Sequence, residues 1–369
     1  MYAERVVVKI EMFKRWLLFA GLTLIAGTSW LHVYRTSADA RWDFPAFYVA
    51  AHTPLAELYD YRSFEARGRS LLSRDGVSYY PPYVRPAVFA IPLRILKPFP
   101  YHSAFLLWAA LQVVFLLFSG LLIWRIFPSL PIVWLFPLLA FFPAFYGIIF
   151  GQDSAGMLLV LSAALYCLVT QRPGIGGVLL GVGLYKFNLI LLLPVYLILA
   201  RQWRAVTGFA VTAFAIGALS AFLAPAGDYV RLLEHVPEVA LGSVSRNMIG
   251  IRGLAATLEI PWLYLLGVAA VAPVALVVAV RSGMRTGFSI ALAGSMLCGY
   301  HINGYDGTLA AIPLVALMAR TEDMGVRILL AAAVFWISRP PMWLSPLILI
   351  AIFIGLIAFR ERASSGPFS

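Results

Sequence analysis

Long, continuous apolar runs constrain this chain more than any other feature of its sequence. Several of them approach or exceed the ~20 residues that a helix needs to cross a bilayer. Because the runs are continuous and do not alternate with polar residues, they predict helices and not the strands of a closed barrel. Hydrophobic residues make up 62% of the chain and the mean hydropathy is +0.87, which excludes a soluble globular domain. The predicted fold is an all-α polytopic membrane protein, with residues 1–369 forming a single domain.

About 12 transmembrane helices are predicted from these runs. They cover residues 16–34, 102–124, 130–149, 154–171, 174–186, 187–200, 204–224, 261–281, 286–300, 307–320, 326–338 and 342–359. The first run lacks a small-residue cleavage site and is therefore kept as a span. With both termini inside, the cytoplasmic ends carry half of the basic residues but fewer than a third of the acidic ones, as the positive-inside rule requires.

The net charge of +11 follows largely from that rule. The basic residues are scattered over short loops, so nucleic acid is not a predicted partner, whereas membrane lipids are. Cys167 and Cys298 lie inside apolar runs and carry no redox or metal argument. The five histidines lack metal-ligand spacing. No metal site or cofactor is predicted.

The only long polar segment lies between the first two spans, in a first outer loop predicted over residues 35–101. Within it, FPAFYVAA and DYRSFEARGRSLLS are predicted to form short amphipathic helices along the membrane interface. Residues 83–98 are predicted to dip into the membrane, because a full crossing there would place most later arginines outside. Residues 225–260 form a second outer loop.

Two short apolar runs meet near Lys186, so this lysine is predicted to lie below the outer surface, in a cavity or thinned region. Broken helices are tolerated in membranes only where protein or water satisfies their ends. The sequence therefore predicts an outward-facing hollow. The unusual polar residues converge on that side, at Asp43, Tyr59-Asp60, Tyr80-Pro81, Gly151-Gln152-Asp153, Lys186, Arg246-Asn247 and the run from His301 to Asp306.

Asp43 lies between Trp42 and Phe44. A carboxylate beside aromatic rings is partly desolvated, which raises its proton affinity and suits it to general-base catalysis. The alternative is a solvated loop aspartate or the N-cap of the following helix.

The other candidates have equally plain alternatives. Lys186 either faces an anionic ligand or extends to the interface. Asp153 could simply complement a helix dipole. His301 and Asp306 either contact a phosphate or sugar hydroxyl or are interfacial residues.

Arg85 and Arg246 could bind phosphate bidentately, although each is a lone arginine. No glycine-rich phosphate loop and no nucleophile elbow occurs. Any group transfer would therefore use a donor already activated within the membrane.

An ordered set of motifs resembles glycosyltransferase family 87. The set runs from about Asp43 to Asp306 as DFPAFYVAA, LYD, YYPP, a GQ that opens a span, and GVLLGVGLYKFNLILLLPVYLILARQWRA. The resemblance implies a GT-C fold and an inverting transfer of a hexose, mannose being favoured, from a polyprenyl-phosphate donor to a lipid or glycan acceptor. The lipid-linked donor is a co-substrate, and the resemblance implies no further cofactor, although some GT-C relatives use a divalent ion. It also implies a bacterial plasma membrane protein acting on the non-cytoplasmic side, in cell-envelope assembly.

Carried over residue by residue, the resemblance makes Asp43 the general base. It assigns substrate binding to the positions of its loop signature, its GQ and lysine positions and its late polar cluster. With the two outer arginines and the polar residues beside the motifs added, the predicted substrate-binding residues are Tyr48, Tyr59, Asp60, Tyr80, Arg85, Gln152, Asp153, Lys186, Arg246, Asn247, His301 and Asp306. The sequence departs from the family pattern at Tyr83-Val84-Arg85, which follows YPP, and at Asp153, which follows GQ.

Two other classes of function fit the sequence less well. A transporter or lipid flippase would line a through-route with polar residues in mid-span, whereas the polar residues here lie at the outer ends. A scaffold without catalytic activity would not explain carboxylates clustered beside aromatic residues.

Overall fold

The computed structural model describes residues 21, 24, 27, 28, 31, 43–77, 79–131, 142–236, 245–337 and 344–359. Within these ranges the elements are α-helices joined by 3₁₀ turns and loops. The α-helices are α1 (Phe44–His52), α2 (Tyr61–Leu72), α3 (Ala90–Leu93), α4 (Tyr101–Ile126), α5 (Phe142–Phe150), α6 (Ser154–Val169), α7 (Pro173–Val182), α8 (Leu192–Leu199), α9 (Trp203–Leu223), α10 (Ala226–Val236), α11 (Ile251–Thr257), α12 (Trp262–Val280), α13 (Met284–Cys298), α14 (Ala311–Met318), α15 (Met324–Trp336) and α16 (Leu344–Ala358).

Three of these helices, α4, α9 and α12, are long and apolar enough to cross a membrane. They confirm the predicted spans 102–124, 204–224 and 261–281, and the chain is a helical membrane protein. The remaining apolar helices of the described ranges are shorter than a full crossing needs. Most of the predicted first span, 16–34, and half of 130–149 lie outside the described residues. The total of about 12 crossings stays a prediction.

Helix α1 differs from its prediction as an interfacial amphipathic helix. Every residue from Phe44 to Ala51 is buried, so the helix is part of the protein core and does not lie along a surface. Its composition explains this outcome, because FPAFYVAA carries no charged residue and has no polar face to expose.

Helix α2 is amphipathic as predicted. Phe64, Gly68 and Leu72 recur every four residues and form its buried face. Asp60 caps its N-terminus by accepting hydrogen bonds from the backbone N–H groups of Arg62 and Ser63.

The segment predicted to dip into the membrane forms three consecutive short helical turns, Ala87–Phe89, Ala90–Leu93 and Arg94–Leu96. Ten residues of helix extend ~15 Å, about half of a ~30 Å hydrocarbon core. The segment is thus too short to cross as a helix. Arg94 anchors it by donating a 3.4 Å hydrogen bond from Nη2 to the backbone oxygen of Thr53.

The predicted break near Lys186 is confirmed. Helix α7 ends at Val182, a 3₁₀ segment covers Gly183–Leu189, and Lys186 within it has the non-helical dihedral angles φ −128° and ψ 58°. Helix α7 packs against α9 at very close range, since a β-carbon on Gly177 would lie 1.9 Å from the backbone oxygen of Ala205. Small residues permit such contacts between membrane helices.

Helix α13 forms the centre of the main core. All of its residues from Thr286 to Cys298 are buried, and α8, α12 and α16 pack around it. The ends of several helices lie at about the same level beside this core, and the polar residues of the candidate site lie there.

Candidate active site

Four charged side chains form a buried cluster, here called the ion quartet: Arg85, Asp153, Lys186 and Asp306. Arg85 donates to both oxygens of Asp153, from Nε to Oδ2 at 3.3 Å and from Nη2 to Oδ1 at 3.1 Å. The ammonium of Lys186 lies 2.7 Å from Asp153 Oδ1 and 2.9 Å from Asp306 Oδ1. The formal charges of the ion quartet cancel, which is how buried charges are tolerated.

Each member of the ion quartet comes from a different part of the chain. Arg85 follows the YYPP motif, Asp153 precedes the first residue of α6, and Lys186 lies in the broken segment between α7 and α8. Asp306 lies in the 3₁₀ segment Gly304–Ala310, which precedes α14. The cluster thus ties together segments that are far apart in sequence.

Ser154 completes the surroundings of Lys186. The ammonium donates to Ser154 Oγ at 3.0 Å, and Ser154 Oγ in turn donates to Asp306 Oδ1 at 3.0 Å. Lys186 therefore has three acceptors, on Asp153, Asp306 and Ser154, for its three N–H donors. The other oxygen of Asp306 accepts from the backbone N–H of Asn303 at 3.0 Å.

Asp43 is the N-cap residue of α1 by position, but its carboxylate makes no capping hydrogen bond. The side chain hydrogen-bonds instead to Gln152. Burial raises the pKa of Asp43 to about 6, although the Gln152 hydrogen bond and the charges of Lys186 and Arg85 oppose that rise. Asp43 is therefore within electrostatic reach of the ion quartet, and near neutral pH it is poised to accept a proton.

A tight turn holds Gln152 against α1. Gly151 has φ +72°, and a β-carbon there would lie 2.3 Å from Cβ of Phe44. The backbone N–H of Asp43 donates to the oxygen of Phe150 at 3.2 Å, and Trp108 Nε1 donates to the oxygen of Gly151 at 2.9 Å. Glycine supplies both the left-handed backbone and the missing side chain that this contact needs.

Asp153 likewise occupies an N-cap position without making a capping hydrogen bond. Burial opposes its ionisation, but the charges of Arg85 and Lys186 outweigh that effect and hold the pKa of Asp153 below its ordinary value. Asp153 is thus ionised at neutral pH, and its carboxylate serves the ion quartet. Its ion pairs with Arg85 and Lys186 give Asp153 contacts beyond those of a helix-dipole residue.

The loop that follows α13 adds a second polar group. His301 Nε2 lies 3.0 Å from Asn303 Nδ2. Burial lowers the pKa of His301, so the ring is neutral. Its Nδ1 is buried and has no hydrogen-bond partner among the described residues.

Aromatic rings enclose the ion quartet. Lys186 Nζ lies 5.3 Å from the ring centroid of Tyr305, and Tyr146 stacks on Tyr305 with 6.3 Å between centroids. The guanidinium of Arg85 lies 5.9 Å from the Tyr185 ring centroid, and Tyr185 donates from its hydroxyl to the backbone oxygen of Asp153 at 3.2 Å. These rings limit access of water to the charges.

Four residues of the predicted loop signature support the site from outside it. The hydroxyl of Tyr48 donates to the backbone oxygen of Phe99, that of Tyr59 to Arg85, and that of Tyr80 to Val77. Asp60 caps α2. Of the four, Tyr59 lies nearest the charges, because its 2.9 Å hydrogen bond fixes the backbone of Arg85.

Arg246 and Asn247 are exposed, and Arg246 pairs with Glu259 at 2.7 Å. Neither contacts the ion quartet, so the structure does not bring this predicted pair to the other site residues. Within the described ranges, no three histidine, cysteine, aspartate or glutamate side chains group together as metal ligands.

Sequence reasoning missed Ser154, Tyr185 and Trp108. The first two are direct neighbours in sequence of Asp153 and Lys186, which is the signal that could have found them. Trp108 lies inside the apolar run of α4, where a tryptophan predicts nothing beyond packing.

The fold and site together define a class: a helical membrane protein with an enclosed, charge-balanced polar centre and a carboxylate of raised pKa beside it. The sequence profile of glycosyltransferase family 87 matches residues 80–311, more than half of the chain, and the chain belongs to this family. It is therefore a membrane glycosyltransferase. The match includes all four residues of the ion quartet and begins after Asp43. The chain matches no curated protein and no solved structure.

Proposed function

We propose that this glycosyltransferase transfers a hexose, with mannose favoured, from a polyprenyl-phosphate donor to a lipid or glycan acceptor at the non-cytoplasmic side of a bacterial plasma membrane. The observation that carries the proposal is the position of Asp43. Its carboxylate has a pKa of about 6, is held by Gln152, and lies within electrostatic reach of Arg85 and Lys186. A base and cations together suit a reaction that removes a proton and releases an anion.

The proposed step is a single displacement. Asp43 takes the proton of an acceptor hydroxyl, and the acceptor oxygen bonds to the anomeric carbon of the donor sugar. The bond between that carbon and the phosphate oxygen breaks, and polyprenyl phosphate leaves with the electron pair. The configuration at the anomeric carbon inverts. Since the phosphate ester already activates the sugar, the reaction as proposed needs no nucleotide and no cofactor.

The contacts of the ion quartet favour Arg85 over Lys186 as the direct phosphate partner. The three N–H donors of Lys186 are matched by Asp153, Asp306 and Ser154, and its side chain is 3% exposed. The side chain of Arg85 is 15% exposed, and its guanidinium has more N–H donors than the two that Asp153 accepts. A departing phosphate would therefore meet Arg85 first, while Lys186 contributes its charge from deeper in the site.

The test uses the purified full-length protein in lipid nanodiscs with synthetic polyprenyl-phosphate mannose and a membrane lipid extract as the acceptor source. Mass spectrometry should detect released polyprenyl phosphate and a mannosylated lipid. Asp43→Asn should abolish release while donor binding persists. Asp228→Asn changes a carboxylate of α10 that pairs with the exposed Arg231; it is the matched control and should release product at the wild-type rate.

Two outcomes would refute the proposal. Turnover retained in Asp43→Asn would show that another group removes the proton, and wild-type protein that releases no polyprenyl phosphate would show that the donor class is wrong. A parallel assay with a chelator tests the cofactor prediction, which requires that turnover persist.

A further inference from the structure

Gln152 is buried, with 7% of its surface exposed, and the two ends of its amide differ in their contacts. One end hydrogen-bonds to the carboxylate of Asp43. The other end, Oε1, is buried and has no partner among the described residues. A buried polar atom without a partner is costly, and native proteins retain one where a ligand or water satisfies it.

The chemistry of the partner fixes which end of the amide faces Asp43. An ionised carboxylate only accepts hydrogen bonds, so the donor to Asp43 is Nε2. Oε1 must then point away from the carboxylate while staying attached to the same rigid amide. The acceptor atom without a partner is therefore held at a fixed offset from the base.

The backbone around Gln152 leaves it little freedom. Its N–H donates to the oxygen of Gly147 at 2.8 Å, and the preceding Gly151 is wedged against Phe44. Asp43 directly precedes Phe44, and its N–H is bonded to the oxygen of Phe150. The segments that carry Asp43 and Gln152 are thus clamped to each other on both sides of the hydrogen bond. Such clamping is what a group that orients a substrate requires.

We propose that Gln152 is a two-ended positioning residue: its Nε2 holds the carboxylate of Asp43, and its Oε1 accepts a hydrogen bond from a hydroxyl of the acceptor substrate. This inference rests on the proposed function, in which Asp43 removes a proton from an acceptor hydroxyl. The hydroxyl bound to Oε1 is a neighbour of the one that Asp43 deprotonates, because the two ends of one amide are adjacent. The acceptor class that fits is a vicinal diol, as in a sugar or polyol, and not a lone alcohol.

The Nε2 half is tested by the pH dependence of thermal unfolding, which needs no substrate. In the wild type, the contribution of Asp43 to stability should be lost as the pH rises towards 6, because its folded-state pKa is raised. Gln152→Met removes the hydrogen bond that lowers the pKa of Asp43. It should therefore move the pH midpoint of this loss of stability upward by about 1 pH unit. In an Asp43→Asn background the same change should move nothing.

The controls separate this contact from general damage to the core. Gln112→Met alters another buried glutamine, whose Oε1 accepts from the backbone N–H of Gly156, and should leave the midpoint where it is. If Gln152→Met does not fold, Gln152→Glu has nearly the same shape and should move the midpoint upward at least as far, since two carboxylates would face each other. An unmoved midpoint in the variant that folds overturns the Nε2 half.

The Oε1 half is tested with octyl mannoside, below its micelle concentration, as a probe that carries vicinal hydroxyls. Calorimetry in nanodiscs should show about tenfold weaker binding to Gln152→Met than to the wild type. Equal affinity, or no binding to the wild type, overturns this half. If the wild type releases polyprenyl phosphate but Gln152→Met changes neither the pH midpoint nor octyl mannoside binding, only this inference fails. If Gln152→Met moves the pH midpoint but the wild type releases no polyprenyl phosphate, only the proposed function fails.

Discussion

Arg85 and Asp153 form a two-point ion pair, with hydrogen bonds of 3.1 and 3.3 Å between the guanidinium and the carboxylate. Arg85 follows the YYPP motif, and Asp153 follows the GQ motif. The structure joins the two positions into one contact, in which the charge at each position is balanced by the other. A cation and an anion introduced separately would each have been costly in a buried site.

The first prediction concerns the stability of this pair. Arg85→Gln or Asp153→Asn alone should lower the free energy of unfolding by about 3 kcal/mol, because each leaves the ion quartet with one uncompensated charge. The double variant should lose less than the two single losses combined. Differential scanning fluorimetry of the four proteins measures this coupling. The exposed Arg246–Glu259 pair is the control, and Arg246→Gln should produce no measurable change.

Strictly additive losses in that cycle would mean that Arg85 and Asp153 act independently. In that case the contact would not be what stabilises the two charges in this site.

The second prediction is the pH dependence of turnover. In the proposed step Asp43 must be ionised to accept a proton, and burial raises its pKa to about 6. Turnover at limiting donor should therefore fall about tenfold per pH unit below pH 6 and level off above it. Stability runs the opposite way, because a raised carboxyl pKa favours the protonated folded state at low pH. Rates measured from pH 4.5 to 8, with circular dichroism at each pH, separate the two effects.

Turnover that stays level down to pH 4.5 would assign the essential base to a group other than a carboxyl with the raised pKa of Asp43.

Much of the fold was readable from the sequence because membrane helices have strong local signals. The apolar runs located α4, α9 and α12, and the meeting of two short runs located the break at Lys186. The missing polar face of helix α1 argues against the interfacial position predicted for it, but a short apolar segment can be buried against either lipid or protein. Only its contacts with α3 and α4 decide the matter, and those contacts are distant in sequence.

The site residues were found more readily than their roles. Asp43, Asp153 and Lys186 are charges beside apolar runs. The structure brings Asp153 and Lys186 into direct contact with each other, and Asp43 lies close by. That the two cations are already neutralised could not be inferred, since ion pairing depends on which helix ends meet. Arg246 had the same charge as Arg85 but belongs to a surface pair.

The third prediction concerns the turn at Gly151. Alanine there should destabilise the protein by about 2–4 kcal/mol, since φ +72° disfavours a side chain and the new β-carbon would clash with Phe44. Turnover should fall as well, because relief of the clash separates Asp43 from Gln152. Unfolding temperature and polyprenyl phosphate release measure both effects. Gly217→Ala is the control, since nothing lies within 4 Å of its β-carbon in α9, and it should leave the protein equally or slightly more stable.

A stable Gly151→Ala protein with normal turnover would show that the approach of Phe44 to Gly151 does not position the base.

The last prediction tests the sidedness on which the proposed function depends. Arg74 is exposed in the turn after α2, and Glu322 is exposed between α14 and α15. The positive-inside argument places these residues on opposite faces of the membrane. In a background with Cys167 and Cys298 replaced by alanine, Arg74→Cys should react with a membrane-impermeant maleimide in intact cells. Glu322→Cys should react only after permeabilisation. Labelling of Arg74→Cys only after permeabilisation would place the loop that carries Asp43 on the cytoplasmic face, where a donor on the outer leaflet could not reach it. Labelling of Glu322→Cys in intact cells would reverse the predicted topology of the later spans.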